Sequence, residues 1–191
     1  MTPTLFRLGR RALVGSAFAG LAACTPGKTL QPLPAYRPLT YRLGSGDQLR
    51  VLVFGEEQLT GEFRVDDQGR IAMPLIGSVE AAGRSPKELE GDIAASLTKG
   101  DYLKNPHVTV EVIAYRPIFV LGEVTKPGQY PYQPGMTFLT AVAVAGGFTY
   151  RAVEQFGSVV RTIDNQAVTG RIDQSSFLAP GDVVQVLERY F

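Results

Sequence analysis

The 191-residue chain has no tryptophan, a single cysteine and a single histidine. One cysteine excludes both an internal disulfide and a cysteine-built metal cage. The one histidine, His107, opens an alternating apolar run, so it reads as a solvated strand-end residue and not as a general base. No charge dominates either: 19 Lys+Arg stand against 18 Asp+Glu, for a formal net charge of +1. That balance argues against an acidic disordered tail and against a nucleic-acid partner held by bulk positive charge. There is no Gly-x-x-x-x-Gly-Lys-Ser/Thr loop, so nucleotide hydrolysis lacks its phosphate cradle. Adjacent carboxylates occur at Glu56-Glu57 and Asp66-Asp67, but both pairs sit at turns, where sequence neighbours point apart. Glycoside hydrolysis needs two carboxyl groups converging on one bond. With no further cluster of ligands, the chain is expected to carry no catalytic residue, no cofactor and no metal.

What is present begins with an address. Residues 1–23 hold Arg7, Arg10 and Arg11 and no acidic side chain, with an apolar run from Ala12 to Ala23. A basic start and a short apolar run have the form of a secretory signal. The run is too short for the roughly 20 residues that a spanning helix needs. The only cysteine ends it, in Leu21-Ala22-Ala23-Cys24. This resembles the bacterial lipobox: small residues admit the signal peptidase, cleavage falls between Ala23 and Cys24, and the Cys24 thiol takes the lipid. One acyl chain holds only marginally, so a multiply acylated cysteine is what gives durable anchoring. Thr25, in place of an aspartate, implies sorting to the outer membrane. Cleavage removes the three arginines and takes the formal charge from +1 to −2. A nucleic-acid partner becomes less tenable still.

The 21 glycines and 13 prolines suit many short strands. Four of those prolines, at 26, 32, 34 and 38, fall in residues 24–40, which read as an extended tether behind the lipidated cysteine. Two units lie beyond the tether. In the first, Gln48 to Phe54 places Leu49, Val51 and Val53 on one face of a strand, as period-two alternation requires. Phe63-Arg64-Val65 and Arg70 to Met73 flank Asp66-Asp67-Gln68-Gly69, a hairpin signal. Ser85-Pro86-Lys87-Glu88 opens a helix by a capping box, with Leu89, Ile93 and Leu97 as its buried stripe and Gly100 as its stop. Val108, Val110 and Val112 then alternate along a strand.

In the second unit, Ile118 to Val124 is a strand, Lys126-Pro127-Gly128 a turn and Gln129 to Tyr132 the return. Thr137 caps a helix that Gly146-Gly147 ends, and Ser158 to Arg161 and Asp182 to Leu187 supply later strands. The pattern is α+β: two small β-rich lobes. An internal echo links them, Gly46-Asp47-Gln48-Leu49-Arg50-Val51 against Gly181-Asp182-Val183-Val184-Gln185-Val186. It reads as turn chemistry before a strand and not as an active site.

These motifs, taken in series, resemble the Wza-like polysaccharide export lipoproteins of Gram-negative outer membranes. Residues 41–116 resemble the polysaccharide export domain through YRLGSGDQLRVLVF, VDDQGRIAMPLIGSVEAAGRSPKELEGDI and NPHVTVEVIAYR. Residues 117–191 resemble an SLBB domain, a β-grasp-like fold, through VLGEVTKPGQY, GMTFLTAVAVAGGFT and LAPGDVVQVLERYF. The resemblance implies a homo-oligomeric ring, a polysaccharide cargo and an inner-membrane polysaccharide copolymerase as partner. The sequence departs from longer members in having one SLBB-like unit and no long amphipathic helix before Phe191. For such short forms the resemblance implies that a separate outer-membrane β-barrel protein supplies the passage. The alternative reading is a periplasmic β-grasp module that binds a small ligand or envelope glycan without transport. A membrane barrel formed by the chain itself is excluded, because its helices leave too few strands. Tyr102, Tyr115, Tyr130, Tyr132 and Tyr150 are aromatics able to stack on sugars, although most aromatics of a β-rich protein are packing residues.

The anchor is tested by Cys24→Ala. The variant is expected to lose lipid, read by mass spectrometry, and to leave the outer-membrane fraction; normal fractionation would remove the anchor from the account.

Overall fold

The computed structural model describes residues 29–36, 41–163 and 166–189; residues 1–23 and Cys24 lie outside them. The described chain folds into two β-rich lobes, each with one α-helix and its own hydrophobic core, in agreement with the α+β expectation.

In the first lobe, β1 (Gln48–Val53) is the centre of a three-stranded antiparallel sheet, between β2 (Gly61–Arg64) and β5 (Val108–Ala114). Leu49, Val51 and Val53 point to one side and are buried, while Gln48, Arg50 and Leu52 face out. Helix α1 (Pro86–Lys99) covers the buried side with Leu89, Ile93 and Leu97, each fully enclosed. It starts where local chemistry dictates. The Ser85 hydroxyl accepts from Glu88 N at 3.2 Å and the Glu88 carboxylate accepts from Ser85 N at 2.7 Å, with Pro86 at the first turn. That second bond holds the Glu88 carboxyl below the usual carboxylate range, with Arg42 adding to the effect. The box therefore stabilises the helix above the ordinary glutamate pKa and weakens as acid protonates Glu88.

The hairpin expected around residues 66–69 is corrected. The turn forms: Asp66 Oδ1 accepts from the amides of Gln68 (2.9 Å) and Arg70 (2.7 Å). The segments flanking it, however, go to different sheets. Strand β2 pairs with β1, and β3 (Arg70–Met73) pairs with β4 (Gly77–Glu80) in a ladder of its own. The Gly69 carbonyl accepts from the amides of Ala81 and Ala82, which ties β4, and not β2, to the far side of the turn.

In the second lobe the strands β6 (Ile118–Gly122), β7 (Gly128–Tyr130), β8 (Phe156–Ile163), β9 (Gln166–Asp173) and β10 (Val183–Val186) form one sheet in the order β7-β6-β10-β8-β9. Strands β6 and β10 run parallel near its middle, and the other neighbours in the sheet are antiparallel. Helix α2 (Phe138–Val144) buries Phe138, Ala141 and Val142 on one face, a β-grasp arrangement. Thr137 caps it and shares a reciprocal box with Thr140. Strand β9 has no counterpart in the sequence reading. It is an edge strand, exposed over its first four residues, so it lacks the apolar alternation that reveals a half-buried strand.

The outer edge of β9 is covered at Arg171 by the Pro-rich segment. Leu33 N donates to Arg171 O at 3.0 Å and Arg171 N to Gln31 O at 2.9 Å, a short parallel pairing. Leu33 reaches the second core over Gly170, where an added Cβ would lie 2.5 Å from Leu33 Cδ1. Within the expected tether, residues 31–33 thus lie against the sheet of the second lobe. Among the described residues, no helix is long and apolar enough to cross a membrane.

Ile93→Ala removes a fully buried side chain from the α1 stripe. Urea unfolding should show a loss of about 3 kcal/mol, whereas Lys87→Ala, on the exposed face of the same helix, should leave the midpoint unchanged.

Candidate interlobe cleft

The connection between the lobes is three residues long, Tyr115-Arg116-Pro117, from the end of β5 to the start of β6. Its position is fixed by Asp47, a carboxylate with no exposure to solvent. Asp47 Oδ1 accepts from the backbone amide of Arg116 at 3.0 Å, and Oδ2 accepts from Tyr41 Oη at 2.5 Å and from Gly44 N at 2.9 Å. The Arg116 guanidinium supplies the countercharge, its Nε 3.4 Å from Oδ1. That Nε–H is buried and has no hydrogen-bond acceptor among the described residues, so the pair is held by charge and by the amide. Tyr41 stays a phenol well above the ordinary range, because it is buried and because it donates to Asp47.

The echo of the sequence proves to be an echo of geometry. Asp182 is also fully buried and sits after Gly181, as Asp47 sits after Gly46; both glycines hold positive φ, +88° and +99°. An L side chain rarely takes that conformation, and glycine does so without steric cost. In each turn the aspartate closes back three residues. Asp182 Oδ2 accepts from Ala179 N at 2.7 Å while Asp182 N donates to Ala179 O at 3.1 Å, and Gly44 and Asp47 repeat both bonds. Each aspartate then starts a ladder with its own carbonyl, Asp47 O toward Val65 N and Asp182 O toward Phe119 N. Each also takes an arginine. Arg161 binds Asp182 in a bidentate fork, Nε to Oδ1 at 2.9 Å and Nη2 to Oδ2 at 2.6 Å.

These two arginine–aspartate pairs face the same cleft between the lobes, of about 510 Å³. Tyr41, Arg42 and Arg116 form the wall of the first lobe, and Arg161 and Pro180 belong to the wall of the second. Tyr36, from the Pro-rich segment, closes one side with its ring 5.3 Å from the Arg161 guanidinium. Burial, against the opposing pull of Arg161, leaves the Tyr36 hydroxyl harder to ionise than usual. Both Asp turns are visible in the sequence, whereas neither arginine partner nor Tyr36 is.

The tyrosines singled out for sugar stacking are dispersed. Tyr115 stands edge-on between Tyr41 (centroids 4.9 Å) and Tyr132 (5.7 Å), a ladder that joins the two cores. Burial pushes the Tyr132 hydroxyl up to about 12. Tyr130 donates to Lys126 O at 2.5 Å and packs against the second core. Tyr102 and Tyr150 lie exposed and apart from the cleft. His107 is exposed, its ring near its own turn at Asn105 O. Asp66 serves the turn described above, and among the described residues no three His, Cys, Asp or Glu side chains converge as a metal set would.

Residues 35–113 match the family described as polysaccharide biosynthesis/export protein, and residues 117–170 match the SLBB domain. The chain is 35% identical over 118 residues to the exopolysaccharide production protein ExoF of Rhizobium meliloti, covering 56% of this chain and 28% of that protein. It is 29% identical over 173 residues to the EPS I polysaccharide export outer membrane protein EpsA of Ralstonia nicotianae, covering 77% and 43%. It is 31% identical over 109 residues to the polysialic acid transport protein KpsD of Escherichia coli, covering 56% and 19%. The chain thus spans less than half the length of each of these relatives.

Asp47→Asn keeps the shape of the side chain and removes the charge that faces Arg116. Breaking a buried pair costs ~3–5 kcal/mol, so urea unfolding should show a loss of that order. The phenolate absorbance of Tyr41 should rise at lower pH in the variant than in the parent. Since its folded pKa is the raised one, the parent's stability from Tyr41 is intact below about pH 10 and declines as alkali ionises the phenol.

Proposed function

We propose that this chain, which belongs to the Wza-like polysaccharide export family, is a non-enzymatic subunit of an oligomeric conduit that exports capsular or extracellular polysaccharide across the outer membrane. It is held to that membrane by lipid on Cys24, with the body in the periplasm. Its cargo is the polysaccharide and its partner in the inner membrane is the polysaccharide copolymerase.

The observation that carries this reading is the joining of an export domain and an SLBB domain through three residues clamped at Asp47. A conduit built from many copies needs each subunit to present both domains at one fixed angle, since closed symmetry tolerates only one interface geometry. A flexible linker would leave that angle free. Relatives named for polysaccharide export or transport support the cargo class, and a family described for export supports a scaffold role over a catalytic one.

Deletion of the gene is expected to abolish surface polysaccharide, measured by extraction and sugar analysis, with restoration by the parent chain. Unchanged surface polysaccharide would end the export reading. Native mass spectrometry of the detergent-extracted full chain should show a closed oligomer, and a strict monomer in the presence of the copolymerase would end the ring.

A further inference from the structure

The interlobe cleft has a lining that the scaffold role does not use. Three guanidinium groups, of Arg42, Arg116 and Arg161, reach it, and no carboxylate is among its described lining residues. The countercharges are present but set behind: Asp47 and Asp182 are fully buried on the far side of Arg116 and Arg161. Glu88 pairs with Arg42 from the start of α1. The arginines are therefore oriented by carboxylates while retaining donors. The hydrogen bonds of Arg161 use Nε and Nη2, those of Arg42 use only Nη1, and that of Arg116 uses only Nη2. Among the described residues, Nη1 of Arg161 and Nη2 of Arg42 have no acceptor.

The Arg161 guanidinium, nearly enclosed and forked onto Asp182, has already lost its rotamer freedom, so an arriving acceptor meets less of that entropic cost there. Planar N–H pairs match a carboxylate or phosphate best. The other surfaces of the cleft include the Tyr36 ring and the faces of Pro34 and Pro180, apolar and flat enough for the CH face of a sugar. The volume lies in the range of small-ligand pockets, so it holds a short saccharide unit and not a folded partner.

We propose that this cleft binds an acidic saccharide unit, its ring carboxylate on the guanidinium groups of Arg42 and Arg161 and its apolar face on Tyr36. The proposal deepens the export reading and rests on it for the choice of a sugar. It gives the subunit a contact with polymer at the junction of its domains. Arg116, already committed to Asp47 and Tyr41, positions this wall and contributes charge.

The test uses the full-length lipidated protein in detergent, titrated with D-glucuronate, D-glucose and inorganic phosphate and followed by the side-chain N–H shifts of isotope-labelled arginine. Glucuronate should shift Arg42 and Arg161 with saturation, and glucose should bind at least about tenfold more weakly for want of the charge–charge contact. Tyr36→Ala should weaken glucuronate about fivefold through the lost stacking surface and leave phosphate unchanged. Arg42→Gln should weaken glucuronate and phosphate together. Equal binding of glucose and glucuronate would overturn the carboxylate contact. Phosphate binding as tightly as glucuronate, with Tyr36→Ala affecting neither, would reduce the site to a general anion site and overturn the sugar. If the parent protein binds no glucuronate while deletion still abolishes surface polysaccharide, the cleft proposal falls and the conduit stands. Thermal melts of both variants, expected within a few degrees of the parent, separate lost contacts from lost folding.

Discussion

A carboxylate shut away from water must be met by donors on every side, and Asp47 is placed so that its donors come from three separate parts of the first lobe and its exit. Leaving such a charge unpaired costs several kcal/mol. The chain therefore has little freedom in where it puts Tyr41, the Gly44 turn or the amide of Arg116. The start of β1, the segment before it and the connection to the second lobe become one construction around two oxygen atoms. Pro117 adds to this by biasing Arg116 toward extended backbone. The second lobe, from Ile118 onward, begins in a direction that the first lobe has set.

The tyrosine ladder acts on the same junction by a different kind of contact. Edge-to-face rings contribute ~0.5–1.5 kcal/mol a pair beyond their burial, less than the buried charge but spread over a wider lever arm. Tyr41 belongs to the packing of the first core and Tyr132 to that of the second, with Tyr115 between them in the connection itself. The polar clamp fixes a point and the aromatic ladder resists rotation about it. Together they turn two lobes with independent cores into a unit whose angle is defined, which is the property that a repeating assembly requires of its subunit.

Much of each lobe was legible because its signals are local. Ser85, Pro86 and Glu88 lie within four residues and announce α1 without reference to anything else. Leu89, Ile93 and Leu97 declare its buried face by spacing alone. Thr137 marks α2 in the same way. The hidden parts depend on pairing across long stretches of chain. The turn at Asp66 was readable, but the choice of β4 over β2 as partner for β3 is made by amides at Ala81 and Ala82, beyond the flanking strands. Strand β9 carries little apolar alternation because its first four residues lie exposed, and the segment that pairs with it at Arg171 comes from Leu33, more than a hundred residues earlier in the chain. The arginine partners of Asp47 and Asp182 are separated from them by 69 and 21 positions, and nothing near an arginine in sequence distinguishes one bound for a buried carboxylate.

The repeated Gly-Asp turn shows how one local device can serve two different ends. In both lobes the glycine permits the bend, the aspartate closes it, and the carbonyl of the same residue opens a ladder. To this point the motif is backbone chemistry and reads as such. The difference lies in the source of the countercharge. Asp182 takes Arg161 from β8, a strand adjacent to β10 in the same sheet, so that its fork stiffens one lobe internally. Asp47 takes Arg116 from the connection, so that the same neutralisation crosses out of the lobe and orients its neighbour. A buried aspartate needs a cation for its own solvation, whichever element delivers it. Where that cation sits in the chain decides whether the turn is only a turn or also the joint between domains.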